Sequence, residues 1–117
     1  MKTDRELLEM AAKAAGVKGY YCENIGIKRS DLSFWNPLWY NGEALELAVR
    51  LHFGLKDFPP HDISDLEGDL PAFGMIEVWR ESDDDPLYVE WYKPGDDRYK
   101  ATRRAIVRAA AAIGETK

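Results

Sequence analysis

The closing stretch of the chain, residues 96–117, constrains the fold most, because it carries the clearest helical pattern in the sequence. Apolar and small residues recur there at steps of three and four and so share one helix face: Tyr99, Thr102, Ile106, Ala109 and Ile113. A cationic set covers the other side: Lys100, Arg103, Arg104 and Arg108. Asp97 suits the N-terminus, and Gly114 is typical of a helix end. The pattern predicts a helix over about 97–113 whose apolar stripe packs on a sheet.

The charge of this helix opposes that of the rest of the chain, whose net charge is −5. Residues 96–117 carry six basic and three acidic groups, so residues 1–95 hold the remaining ten basic and eighteen acidic groups. We therefore expect the helix cations to act as internal counter-charges for acidic loops. Arg103→Ala should then be mild, whereas Ile106→Asp, in the apolar stripe, should unfold the domain.

Length and composition indicate a single globular domain over residues 1–117, with 45% hydrophobic and 32% charged residues. One cysteine, Cys22, excludes an internal disulfide framework and a multi-cysteine metal site, and it fits a reducing compartment. The N-terminal residues lack the apolar core of an export signal, and no apolar run reaches the roughly 18 residues of a membrane span. We expect a cytoplasmic protein that contacts no membrane.

Two more helices are predicted from their starting signals. Thr3 and Glu6 form a capping box, which predicts a helix over about 4–15. Asn41 can cap another helix over about 42–53, whose apolar residues recur at helical spacing.

Strands are predicted in the remaining parts of the chain. Residues 73–92 place β-branched and aromatic residues on both sides of a polar turn, which is typical of a β-hairpin. Residues 17–29 indicate one or two weaker strands, and prolines make 55–72 irregular. The predicted fold class is α+β: a small antiparallel sheet packed with three helices as a helix–sheet–helix sandwich.

An aromatic loop, residues 30–41, is the first candidate binding region. Four aromatic side chains fall within seven positions of it: Phe34, Trp35, Trp39 and Tyr40. Rings at this density either bury a large area as a lid on the core or form an adhesive surface. Both interpretations stay open, and Trp35, Trp39 and Tyr40 are candidate partner-binding residues.

Acidic side chains form the second group of candidates. One set lies in the irregular segment: Asp62, Asp65, Glu67 and Asp69. The other is the triplet Asp83, Asp84 and Asp85 in the turn of the predicted hairpin. A calcium-loop pattern is absent and only one histidine, His61, lies nearby, so neither a metal nor another cofactor is predicted. The acids are either solvated or bind a basic partner.

Two glutamates of the hairpin suggest a third kind of site. If Glu77 and Glu90 share one face of the sheet, their carboxylates could serve acid/base chemistry in a pocket near the aromatic loop. Structural neutralisation by nearby cations is the alternative. The common nucleotide-binding, hydrolase and zinc-protease motifs are all absent, so we expect a protein that is not an enzyme.

Five segments carry a family resemblance: DRELLE at 4–9, WNPL at 35–38, NGEAL at 41–45, LAVRL at 47–51 and ATRRAIVRAAAAIG at 101–114. They resemble segments of small tailed-phage and prophage proteins, among them the phage ABA sandwich domain family. The resemblance covers about half of the chain, and residues 55–95 lie outside it. It implies a phage origin and a helix–sheet–helix sandwich, and it transfers no site residue.

Three functional hypotheses follow. The first is a non-enzymatic phage accessory protein that binds a host protein in the bacterial cytoplasm, as an acidic inhibitor of a defence or nucleic-acid-binding system. The protein itself would then bind no nucleic acid directly. The second is a small-ligand binder or enzyme that uses the aromatic loop with Glu77 and Glu90. The third is an assembly role as a homodimer or larger homo-oligomer through exposed aromatic side chains.

Overall fold

The computed structural model describes residues 2–59, 73–81 and 83–116. Within these ranges the elements follow in this order: α1 (Asp4–Ala15), β1 (Gly19–Cys22), β2 (Gly26–Arg29), β3 (Phe34–Trp35), α2 (Asn41–Arg50), β4 (Phe53–Phe58), β5 (Gly74–Arg80), β6 (Tyr88–Tyr92) and α3 (Arg98–Glu115). The predicted α+β class is confirmed. No helix in the described ranges is long and apolar enough to cross a membrane.

The strands form two sheets, whereas the sequence predicted one. β1, β2 and β3 form one antiparallel sheet in that order, and β4, β5 and β6 form the other. The predicted hairpin over 73–92 is β5 and β6, and the weaker strands over 17–29 are β1 and β2. β3 lies inside the aromatic loop, and β4 occupies the start of the segment that was expected to be irregular.

α3 lies between two apolar clusters, and this position explains its many alanines. The cluster with α1, α2 and the first sheet includes four of its residues: Ile106, Val107, Ala110 and Ala111. The cluster with β5 and β6 includes three: Ala101, Ala105 and Ala109. Small side chains let neighbouring elements approach the helix closely from two directions at once.

Both ends of the predicted apolar stripe on α3 need correction. Tyr99 is 70% exposed, so the buried surface begins later than expected. Gly114 does not stop the helix, which continues to Glu115. Gly114 is buried where α3 crosses α1, and a Cβ added there would overlap the carbonyl group of Met10. The glycine therefore serves close helix packing.

α2 ends at Arg50, earlier than the predicted 53. His52, which the sequence pattern placed in the last turn of the helix, has a φ of 57°, in the left-handed region. The chain therefore leaves the helix there and enters β4 at Phe53. The start differs as well: Asn41 is the first helical residue, and its side-chain oxygen accepts a hydrogen bond from Arg103 instead of capping the helix.

Three arginines of α3 pair with carboxylates on other elements: Arg98 with Asp57 of β4, Arg104 with Asp4 of α1 and Arg108 with Glu90 of β6. Arg108 also donates to the Tyr88 hydroxyl at 2.6 Å. Burial opposes the charge of Arg108, but its contacts with Tyr88 and Glu90 raise its pKa above the ordinary value. Two of the four predicted cations, Arg104 and Arg108, thus act as counter-charges, but their partners lie on α1 and β6 and not in an acidic loop.

Candidate functional site

The aromatic loop divides its rings between the core and the surface. Trp35 is 2% exposed and belongs to the core cluster around α1, α2 and α3. Trp39 and Tyr40 are 71% and 61% exposed. The burial interpretation is therefore confirmed for Trp35, whereas Trp39 and Tyr40 are exposed and their binding role stays a prediction.

Asn36 fixes the backbone between the anchor and the displayed rings. It is almost fully buried, and its side-chain Nδ2 donates to the Ile25 carbonyl at 2.9 Å. Its Oδ1 accepts from the Leu38 N–H at 3.2 Å. Its own carbonyl accepts from the N–H groups of Trp39 and Tyr40 at 3.1 and 3.0 Å. The turn that carries both exposed rings is therefore held by one buried amide residue.

Arg103 of α3 holds the same turn from the other side. Its Nε donates to the Leu38 carbonyl at 2.8 Å, and a guanidinium nitrogen donates to Asn41 Oδ1 at 2.7 Å. One side chain thus joins the end of the loop and the start of α2 to the central helix. The backbone positions of Trp39 and Tyr40 are therefore set before any partner binds, which reduces the backbone conformational entropy that binding would lose.

We expect Arg103→Ala to lower the free energy of unfolding by about 1–3 kcal/mol, more than the sequence pattern suggested. The change removes two hydrogen bonds from a charged donor and leaves the Leu38 carbonyl without that donor. Urea unfolding followed by circular dichroism measures the effect. Lys100→Ala, at an exposed position on the same helix, is the matched control and should stay within about 0.5 kcal/mol of the wild type. Equal stability of the two variants would contradict the prediction.

α2 extends the exposed apolar surface beyond the aromatic loop. Leu45 and Val49 lie one helical turn apart and are exposed, while Ala44, Leu47 and Ala48 face the core. We name the exposed apolar set in this part of the chain the 39–49 surface: Trp39, Tyr40, Leu45 and Val49. The sequence interpretation missed Leu45 and Val49 as surface residues. The available signal was that they do not fit the single apolar face of α2.

The acidic turn and the 39–49 surface meet at a groove. Asp83, Asp84 and Asp85 are exposed. Asp83 and Val49 both line an open groove of about 620 Å³, together with Trp79. Lys56 lies 4.6 Å from the centre of the Trp79 ring and closes part of this groove. The structure therefore brings one predicted acidic residue beside the apolar side chains of α2. The other predicted acids, Asp62, Asp65, Glu67 and Asp69, lie outside the described residues.

The predicted carboxylate pair of the hairpin is not formed. Glu77 pairs with Val89, and Glu90 pairs with Ile76, so the two glutamates point to opposite faces of the sheet. Glu77 accepts a hydrogen bond from Trp79 Nε1 at 3.2 Å, and Glu90 lies 3.2 Å from Arg108. The prediction that they share one face was wrong, because the register sets Glu77 opposite Val89, and a shift by one residue would be needed to bring Glu90 to the same face.

The described ranges contain no group of three or more histidine, cysteine, aspartate or glutamate residues that could hold a metal ion. Comparisons with protein-family models, with curated proteins and with solved structures give no match. The resemblance to small phage proteins therefore stays a prediction from the sequence. The site described by the geometry is a surface: two exposed aromatic rings on a hydrogen-bonded turn, exposed apolar residues on α2, and Asp83 near Val49.

Proposed function

We propose that the protein is a non-enzymatic phage or prophage accessory protein that binds a host protein in the bacterial cytoplasm. The observation that carries the proposal is the exposure of Trp39 and Tyr40 on a turn fixed by Asn36 and Arg103. The phage origin rests on the sequence resemblance. No cofactor, membrane or direct nucleic-acid contact is part of the proposal.

Exposed tryptophan and tyrosine are suited to dominate binding energy. Such residues are enriched among the few interface positions that cost 2 kcal/mol or more when truncated. Their rings bury a large area, and each has few rotatable bonds to order. The buried anchor Trp35 and the hydrogen bonds of Asn36 hold the turn that carries them, so little of that energy is lost in ordering the loop.

The charge distribution favours a basic partner. The chain carries a net charge of −5, and Asp83, Asp84 and Asp85 are exposed. Asp83 lines the groove with Val49, and Lys56 and Arg80 line it as well. An acidic surface next to apolar anchors can occupy a basic surface that otherwise binds nucleic acid, which is how such a protein would inhibit a host defence or nucleic-acid-binding system. Complementary charge would chiefly increase the association rate and the selectivity for that partner.

Capture from bacterial lysate with matched variants tests the proposal. The wild type should enrich a discrete host protein that Trp39→Ser/Tyr40→Ser captures at least about 30-fold more weakly, since 2 kcal/mol or more is lost. Trp91→Ser/Tyr99→Ser is the control, because it removes an equally exposed ring pair elsewhere and should leave capture unchanged. Replacing Asp83, Asp84 and Asp85 together by Asn should weaken capture, and this effect should be largest at low salt.

Two outcomes would contradict the proposal. One is a partner that is captured equally by the wild type and by Trp39→Ser/Tyr40→Ser. The other is a concentration-dependent dimer in light scattering that the same substitutions abolish, with no host protein enriched. The second result would support the alternative role as a homo-oligomeric assembly protein.

A further inference from the structure

A small cavity of about 210 Å³ lies beside Trp39, at the junction of α1, the turn between β1 and β2, and the aromatic loop. Five of its lining residues have the chemistry to contact a polar group: Asp4, Tyr21, Asn24, Asn36 and Trp39. The cavity thus combines two aromatic rings, one carboxylate and two amides at the edge of the proposed binding surface.

We propose that this cavity receives a cationic side chain, arginine or lysine, from the partner protein. The inference rests on the proposed function and deepens it, because it names the residue type that the partner inserts next to Trp39. The occupant is argued from charge complementarity and from the aromatic character of the walls.

The aromatic walls are suited to a cation. A guanidinium or ammonium group is attracted to the face of a tryptophan or tyrosine ring when it lies within about 6 Å of the centre. Tyr21 already shows this behaviour within the chain, since the Arg5 guanidinium carbon lies 5.5 Å from its ring centre. Arg5 is itself paired with Glu9 at 2.8 Å and takes one face of the Tyr21 ring, so the ring left for an incoming cation is chiefly that of Trp39. Trp39, on the rim, offers the larger ring.

Asp4 supplies the negative charge. Its side chain is 59% exposed, and the ion pair that the structure gives it is with Arg104 at 3.6 Å. That separation is longer than the roughly 2.7–2.9 Å of a charge-assisted hydrogen bond. A carboxylate has two oxygens and about four acceptor positions, so Asp4 can accept hydrogen bonds from an incoming cation.

The backbone around the cavity is rigid. Gly26 of β2 has a φ of 130°, and a Cβ added to it would lie 2.6 Å from the carbonyl oxygen of Trp35 in β3. Only glycine therefore fits at this close approach of the two strands. Asn36 is fixed at both ends of its side chain. The site is therefore formed before binding, which favours affinity for a single side chain.

Titration of the isotope-labelled protein with three short peptides tests the inference by NMR. The probes are acetyl-Gly-Arg-Gly-amide, its lysine counterpart and the neutral citrulline counterpart. The arginine and lysine peptides should give saturable shifts of the Trp39 indole and Asn24 amide signals, and the citrulline peptide should not. Trp39→Leu and Asp4→Asn should each weaken binding at least about threefold, as the loss of 0.5–1 kcal/mol or more requires. Trp91→Leu is the control and should bind like the wild type.

Any of three results would overturn the cationic pocket: no saturable shifts at Trp39 and Asn24, equal binding of the citrulline peptide, or no effect of Asp4→Asn. The two proposals fail separately. If lysate capture needs Trp39 and Tyr40 but the peptides do not bind, the protein-binding function stands and the pocket falls. If the peptides bind as described but no host protein is captured, the pocket stands and the proposed function falls.

Discussion

Ile106→Asp is expected to leave the domain unfolded at 25 °C in water. Ile106 is 3% exposed in the middle of α3, inside the cluster that α3 forms with α1, α2 and the first sheet. Asp there either carries an unpaired charge in the core or takes up a proton, and in both cases the packing of the isoleucine is lost. The expected cost of about 5 kcal/mol or more is comparable with the whole stability of a domain of this size. Far-UV circular dichroism and a urea titration show the result.

Two further variants separate the effect of position from that of charge. Tyr99→Asp adds the same carboxylate to the exposed first turn of α3, where the helix dipole favours it, and should change stability by about 0.5 kcal/mol or less. Ile106→Ala removes the packing without adding a charge and should cost about 2–5 kcal/mol. Wild-type melting of Ile106→Asp would mean that α3 does not place this residue in the core.

Local signals in the sequence predicted the starts of α1 and α3 well. The capping box of Thr3 and Glu6 is present, with each side chain contacting the backbone N–H of the other. Asp97 caps α3 by accepting hydrogen bonds from the N–H groups of Tyr99 and Lys100. These features depend on residues two or three apart, so the sequence contains all the information that they need.

Features that depend on distant pairing were not predictable in the same way. The turn between β5 and β6 is long enough to permit more than one register, and a shift by one residue moves every side chain to the other face. This is why Glu77 and Glu90 were expected on one face and lie on opposite ones. The pairing of β4 with β5 joins segments far apart in the chain, and no local signal indicated it.

The aromatic loop shows the same limit at the candidate site. Its composition left burial and binding open as alternatives and did not indicate which ring would be buried. Trp35 pairs with the buried Ile27 and shares its core-facing side of the sheet, whereas Trp39 is exposed on the turn that Asn36 and Arg103 hold. Arg103 bonds atoms of residues 38 and 41, which lie far from it in the sequence. This contact therefore cannot be inferred without the tertiary structure.

Gly114→Ala is expected to lower the free energy of unfolding by about 3 kcal/mol, although alanine is the better helix former. In an isolated helix the substitution would stabilise by about 1 kcal/mol. In the folded chain, Gly114 is buried at the crossing of α3 and α1, and an added Cβ would overlap the Met10 carbonyl. The contact is with backbone, so it is relieved only by moving the two helices apart, and such overpacking typically costs about 1–3 kcal/mol or more.

The Gly114 experiment is decided by the sign of the change in the free energy of unfolding. Urea unfolding of three variants measures that change. Gly42→Ala, in the first turn of α2 where an added Cβ meets no atom within 4 Å, is the control and should be neutral or stabilising by up to about 1 kcal/mol. Gly114→Ala combined with Met10→Ala should not regain stability, because truncating the Met10 side chain leaves its carbonyl in place. A Gly114→Ala variant more stable than the wild type would show that α1 and α3 do not cross at this residue.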